Sequence, residues 1–279
     1  MAGKILVLGA TGTVGTPLVK ALVAKGEKMK AASRAGKPVE SAEGVAFDFA
    51  DPSTFAPAFD GVDRAYVLLP GGNVAITELL LPVIEAAAAR KVKVVFQSVF
   101  GVDADDGIPY RQVEIALEKS GTPYVVLRPN WFSDNFRTYW KAGIDHGRIA
   151  VPAGEGKSSF IDVRDIAESA AAALTTSRFD GKAFNLTGPQ ALSYAEAAKI
   201  VSDAIGKPVA YEAVSDETFI GILTGAGVPN DYAAFLASIF YPVREGWTSA
   251  VTPDVETLTG KPPRSVETYV RDNTAALKA

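Results

Sequence analysis

The segment Gly9-Ala10-Thr11-Gly12-Thr13-Val14-Gly15 constrains this chain more than any other, because its three glycines stand between a continuously apolar run and an amphipathic one. Ile5-Leu6-Val7-Leu8 is apolar at every position, as a strand covered on both faces of a parallel sheet is, and Lys4 to Ala10 is read as that strand. Val14, Leu18 and Leu22, with Val19 and Val23, recur at helical spacing up to Gly26, where a helix would stop. A strand turning through glycine into a helix gathers the first backbone N–H groups of that helix around one spot, a seat for phosphate. Gly9 then permits the tight turn, Gly12 lets the backbone approach a diphosphate, and Gly15 lets helix pack on strand. A plain strand-to-helix turn would use the same residues, so the alternation downstream decides between the two.

That alternation continues. Strands are expected at Lys28 to Arg34, Val45 to Phe49, Ala65 to Leu69, Val92 to Ser98 and Tyr124 to Arg128. Helices between them open at Asp51-Pro52, run from Ile76 to Arg90 across Pro82, and run from Tyr110 to Lys119 before Ser120-Gly121-Thr122-Pro123. Strands joined by helical crossovers make a parallel sheet with ligands at its carboxyl edge, so the fold class is α/β, a Rossmann-type doubly wound sheet with a smaller C-terminal α/β substrate lobe. Residues 1–128 form the dinucleotide-binding domain, 158–187 return to it, and 129–157 with 188–279 form the second lobe. Within these, Ser158 to Leu174 reads as a strand entering an alanine-rich helix and Ala183 to Leu186 as another strand. Ser193-Tyr194-Ala195-Glu196 has capping-box spacing for a helix through Ile205, and Ser215 opens one toward Leu223.

The end of the second strand reads the nucleotide, since a carboxylate there would bond a ribose 2′-hydroxyl and repel a 2′-phosphate. Ser33 and Arg34 stand there instead, with Lys37 close by, and a guanidinium fork beside a hydroxyl favours NADPH. Asp48 is a candidate acceptor for the adenine amino group and Phe49 a cover for its ring, although Asp48 is equally placed to cap the next helix.

A net charge of -4 without a basic cluster argues against nucleic-acid binding. The chain has no cysteine and a single histidine, His146, read as a loop residue, so no thiolate chemistry and no metal site are expected. Met1-Ala2-Gly3-Lys4 leads into the first strand without a secretory pattern, and no apolar run reaches membrane-spanning length, so a cytoplasmic protein with no membrane partner is expected. Arg164, between Asp162 and Asp165, is read as an ion-pairing residue.

Taken with Ser33-Arg34, Leu127-Arg128-Pro129-Asn130-Trp131-Phe132-Ser133-Asp134-Asn135-Phe136 and Phe160-Ile161-Asp162-Val163-Arg164-Asp165-Ile166-Ala167, the glycine loop resembles the NmrA-like family of atypical short-chain dehydrogenases, with its quinone, triphenylmethane and azo-dye reductases. The resemblance covers nearly the whole chain. It implies that Leu68, Leu69 and Pro70 pass under the adenosine half of NADPH, and that Gln97, Ser98, Val99 and the run Asn130, Trp131, Phe132, Ser133, Asp134 and Asn135 border the nicotinamide. The bland readings are that Gln97 and Ser98 end a strand and that Trp131 and Phe132 seal a seam between lobes.

The superfamily's tyrosine is followed four residues later by lysine, whereas Tyr110 is followed there by Glu114, read as a solvated or structural carboxylate. A carboxylate one turn from a phenol opposes phenolate formation, so Tyr110 is left as a hydrogen-bond donor to substrate or an ordinary helix-start residue. Hydride transfer to an electron-poor small-molecule acceptor, aromatic or quinone-like, tolerates that change because such a product takes its proton from solvent. Trp131, Phe136, Tyr139 and Trp140 are candidates for a stacking wall, against the alternative of ordinary core. The competing readings are an NADP(H) sensor that regulates a partner without turnover and, more weakly, a sugar-nucleotide epimerase or dehydratase. A homodimer is compatible with all three.

Overall fold

The structure, a computed structural model, describes residues 3–278. Met1 and Ala2, at the head of the run expected to lead into the first strand, lie outside them. The chain opens with β1 (Lys4–Val7), α1 (Gly15–Ala24), β2 (Met29–Ser33), β3 (Glu43–Ala46), α2 (Phe55–Phe59), β4 (Val62–Val67), α3 (Ile76–Ala88), β5 (Lys93–Gln97), α4 (Pro109–Lys119) and β6 (Tyr124–Pro129). There follow α5 (Lys141–Asp145), β7 (Arg148–Val151), β8 (Lys157–Ser158), α6 (Val163–Leu174), β9 (Lys182–Leu186), β10 (Leu192–Ser193), α7 (Tyr194–Ile205), β11 (Ala210–Ala213) and α8 (Asp216–Gly225). The chain ends through α9 (Asn230–Ser238), α10 (Tyr241–Arg244), α11 (Asp254–Thr259), α12 (Val266–Asp272) and α13 (Thr274–Lys278).

Two compact units result. The first holds the described residues up to Pro129, Val163–Leu186 and Asp254–Gly260. Its seven-stranded sheet has the order β3-β2-β1-β4-β5-β6-β9 with every pairing parallel. The order reverses beside β1, where a doubly wound sheet opens a crevice at its carboxyl edge. Leu6, Leu8, Val67, Val94, Phe96 and Val126 of the sheet share one apolar layer with Phe55, Phe59, Leu80, Val83, Val113 and Leu117 from α2, α3 and α4. Strand residues alternate in direction, so Tyr66 and Val95 turn to the opposite face, where α6 packs along β4 and β5 beside α1.

The second unit holds Asn130–Asp162, Thr187–Pro253 and the described residues from Lys261 onward. Its core is aromatic: Phe136, Trp140, Phe160, Tyr194 and Phe240 are all buried together. Around them lie two small sheets, β7 parallel to β11 and β8 antiparallel to β10. Ser193 caps α7 through the reciprocal bonds with Glu196 that its spacing predicts, and Ser215 caps α8. Ser193→Ala is expected to lower unfolding free energy by about 1 kcal/mol, read from urea midpoints at unchanged slope.

Several expected bounds shift: the first strand ends at Val7 rather than Ala10, and the fourth runs Val62–Val67 rather than Ala65 to Leu69. The return to the sheet begins at Val163 rather than residue 158, because Lys157 and Ser158 pair with β10 in the second unit. A further stretch, Asp254–Gly260, belongs to the first unit: α11 packs on α6 and β9, and the Asp254 carboxylate accepts the Asn185 N–H at 2.6 Å. The third strand ends at Ala46 instead of reaching Phe49, since Phe47 turns inward to stack on Phe55 with ring centroids 5.0 Å apart. No helix among the described residues is long and apolar enough to cross a membrane, and no group of three or more metal-ligating side chains occurs among them.

Candidate functional site

Gly9 leaves β1 at φ +65°, a left-handed conformation that favours glycine, and its carbonyl accepts the Gly12 N–H at 2.8 Å. Gly15 opens α1 so close to this turn that a Cβ would stand 2.0 Å from the Gly9 carbonyl oxygen and 2.8 Å from the Ala10 Cα. Thr11, Gly12 and Thr13 are exposed. The N–H groups of Thr13, Val14 and Gly15 make no hydrogen bond among the described residues, none of which caps α1 with a side chain; its first turn carries no acidic group. Three consecutive free N–H groups at the positive end of a ten-residue helix form an anion cradle.

The strand register lays out the rest of the edge. Val7 pairs with Ala31 and Tyr66, and Val67 with Phe96, so two residues past Val7 the row reads Ser33, Gly9, Leu68, Gln97 across neighbouring strands. The Leu68 side chain lies against Gly9, where an added Cβ would meet it at 3.3 Å. Leu69 is buried in the apolar layer and Pro70 is exposed.

The Ser33 hydroxyl is buried with no hydrogen-bond partner among the described residues. Such an orphan costs on the order of 1–3 kcal/mol, and a ligand removes the cost. Arg34 and Lys37 beside it are exposed, and neither forms an ion pair with another described residue. Their loop is held by two glycines that the sequence reading passed over. Gly36 closes the turn by donating to the Ser33 carbonyl at 3.1 Å. Gly44, on β3, lets the loop backbone press in so far that a Cβ would stand 2.3 Å from the Gly36 carbonyl oxygen.

Asp48 accepts from the Ala50 N–H at 2.9 Å within its own turn, and the helical cap falls to Asp51, which accepts from Ser53. Phe49 is half-buried, edge-on to Phe47. At the end of β5, Gln97 accepts a hydrogen bond from the Tyr66 hydroxyl, the Ser98 hydroxyl is a second buried orphan among the described residues, and Val99 is exposed.

Tyr110 sits on the first turn of α4 with its ring half-buried and stacked on Phe96, a packing role on the α3–α4 side of the sheet. Glu114 is a structural carboxylate, not a solvated one. It is fully buried, grips Arg128 through two hydrogen bonds of 2.9 and 2.7 Å, and accepts from Arg111 at 2.9 Å. Burial opposes the charge on Arg128, yet the bonds to Glu114 hold its pKa above the usual value.

In the second unit the Asn130 amide is fully engaged: its Nδ2 donates to Ser159 Oγ and the Thr248 carbonyl at 2.7 and 2.8 Å, and its Oδ1 accepts the Trp131 N–H. This side chain braces the segment rather than reaching a ligand. Ser133 and Asp134 are likewise buried, the first donating its N–H to the Ile161 carbonyl and the second paired with Arg137. Phe132 pairs with Ile161, and the Asn135 carbonyl accepts the Trp140 N–H at 2.8 Å. Of the expected stacking wall, Phe136 is fully buried and Trp140 nearly so, each packed against Phe160. Both are core, while Trp131 is half-buried 4.6 Å from Phe240 and Tyr139 is exposed. His146 is exposed and bonds the Ala142 carbonyl through Nδ1, as a loop residue would.

The family model described as the NmrA-like family matches residues 1–255. The chain belongs to the NmrA-like family. One relative within reach of it is the prestalk A differentiation protein A of Dictyostelium discoideum, 33% identical over 280 residues spanning 96% of this chain and 92% of that protein. Another is the NAD(P)H azoreductase of Xenophilus azovorans, 33% identical over 286 residues and 99% of each chain. Among solved structures, the Citrobacter sp. triphenylmethane reductase complexed with NADP(H) superposes at a TM-score of 0.81 and 26% identity, covering 97% of this chain and 99% of that one. The architecture of the NmrA-like fold thus extends across both units.

Proposed function

We propose that this NmrA-like protein is an NADPH-dependent reductase whose acceptor is an electron-poor, planar small molecule of quinone type. The azoreductase relative supports the coarser statement that it is an NAD(P)H-dependent reductase. One observation carries the choice of NADPH: the Ser33 hydroxyl and Arg34, neither with a partner among the described residues, stand together one strand away from the N–H groups of Thr13, Val14 and Gly15, which are free among the same residues. Adjacent strands lie about 4.8 Å apart, so one ligand bridges both. The N–H groups hold a diphosphate, and Ser33, Arg34 and Lys37 hold a 2′-phosphate with a hydroxyl donor and two cations, in a segment, Ser33 to Lys37, that carries no carboxylate.

When bound, the dinucleotide supplies a hydride. The residues of the chain bind and orient; a quinone that gains the hydride becomes hydroquinone by taking one proton from water. Arg34→Ala is expected to weaken NADPH roughly ten- to a hundredfold, the loss of charge-assisted bonds, and to leave NADH nearly unchanged. Isothermal titration with each nucleotide decides it, and equal losses for both would remove the phosphate assignment. The name of the Dictyostelium relative speaks of differentiation, which favours a second reading, a dinucleotide sensor without turnover. Following NADPH absorbance with quinones, azo dyes and cationic dyes separates the two: no rate above the blank on any acceptor leaves the sensor.

A further inference from the structure

Tyr66 is a phenol in the middle of a parallel sheet, fully buried, and its hydroxyl has one partner among the described residues, the Gln97 side-chain oxygen. Burial holds the phenol well above its usual pKa, so it remains a donor at any physiological pH. Tyr66 and Gln97 extend from neighbouring strands to the same face, the one over which α6 packs. Gln97 Oε1 accepts from Tyr66, and Gln97 Nε2 has no hydrogen bond among the described residues. Gln97 lies on the carboxyl edge, two strands from Gly9, a separation of about 10 Å. A dinucleotide held at the ends of β2 and β1 would leave the carboxyl edge of β4 and β5, where Gln97 stands, for its other half and the acceptor.

We infer that Gln97, clamped by Tyr66, donates a hydrogen bond from Nε2 to the carbonyl oxygen of the acceptor, stabilising the oxyanion that develops as hydride arrives. Gln97 is the catalytic residue and Tyr66 the positioning residue. This role rests on the reductase reading above. In the balanced reaction the quinone takes one hydride, two electrons included, and one proton from solvent; the amide keeps its own protons. Such a donor does not depend on a tyrosine–lysine pair, and Glu114 stands four residues after Tyr110 where that pair would have lysine.

The test compares a benzoquinone with a triphenylmethane cation bearing only dialkylamino groups, which accepts hydride at carbon and has no oxygen to stabilise. Removing one oxyanion donor costs about 10²-fold in turnover, so Gln97→Leu is expected to lower kcat on the quinone by that factor, with at least a tenfold smaller loss on the dye. Tyr66→Phe should lose part of the same ratio, with KM for NADPH unchanged. Equal losses on both acceptors, or a loss confined to KM, would overturn the inference. A second arm needs no cofactor: in isotope-labelled protein the Gln97 side-chain amide should show the heteronuclear NOE of a rigid group, falling toward that of a freely rotating side chain in Tyr66→Phe. An amide already averaged in the unmodified protein refutes the clamp. If the unmodified protein reduces neither acceptor, the reductase reading fails by itself, while the amide signals still report on Tyr66 and Gln97.

Discussion

Replacing Glu114 with alanine is expected to lower the free energy of unfolding by about 3–5 kcal/mol, a large part of the stability of an ordinary domain. The carboxylate is fully buried and answers two guanidinium groups at once. Its loss strands Arg128, whose side chain is only 8% exposed, with one ion-pair partner among the described residues, Asp103, to balance it. The cost comes from leaving a buried cation unmatched, not from the attraction itself. Glu114→Leu combined with Arg128→Met is therefore expected to recover most of the deficit, because a well-packed apolar pair needs no desolvation of charge. Chemical denaturation of the two variants decides this, and a single-mutant loss below about 1 kcal/mol would mean that the network behaves like an exposed ion pair.

Gly15→Ala is expected to abolish nucleotide binding at any practical concentration. The added methyl would stand 2.0 Å from the Gly9 carbonyl oxygen, and both the obstacle and the residue beside it are backbone, so the turn itself must shift. Shifting it moves the N–H groups of Thr13, Val14 and Gly15. Losing two charge-assisted bonds of about 1.5–3 kcal/mol each weakens binding by roughly 10² to 10⁴. Overpacking adds about 1–3 kcal/mol of destabilisation, so melting temperature and nucleotide affinity should fall together. Affinity retained within about tenfold of the parent would show that the cradle lies elsewhere.

The Rossmann unit is legible in the sequence because its information is local. Ile5 to Leu8 and the Val14-Leu18-Leu22 stripe announce a strand and a helix through nearest neighbours, and the glycines between them state their own backbone needs. Ser33 and Arg34 were found the same way, by position after a strand. What the sequence concealed depends on partners far along the chain. Asn130 looks like a ligand-binding residue until its amide meets Thr248, 118 residues away. Phe136 and Trp140 have the composition of a substrate wall, and only the packing of Phe160 and Tyr194 around them makes them core. Gly44 carries no motif, and its need to be glycine arises from a loop eight residues earlier pressing on β3. Tyr66 hides in the apolar end of β4, where an aromatic ring is ordinary and only its bond to the Gln97 amide makes its hydroxyl meaningful.

The path of the backbone between the two units has a practical corollary. The polypeptide passes from one to the other after Pro129, Asp162, Leu186, Pro253 and Gly260. No single cut yields either as an intact fragment. A chain stopped after Pro129 would keep the glycine loop yet forfeit β9, exposing an unpaired border along β6, and would lose α6, uncovering the face that holds Tyr66. Such a fragment should come out of cells as aggregate, so the smallest portion of this protein that can be handled as a folded object is nearly all of it.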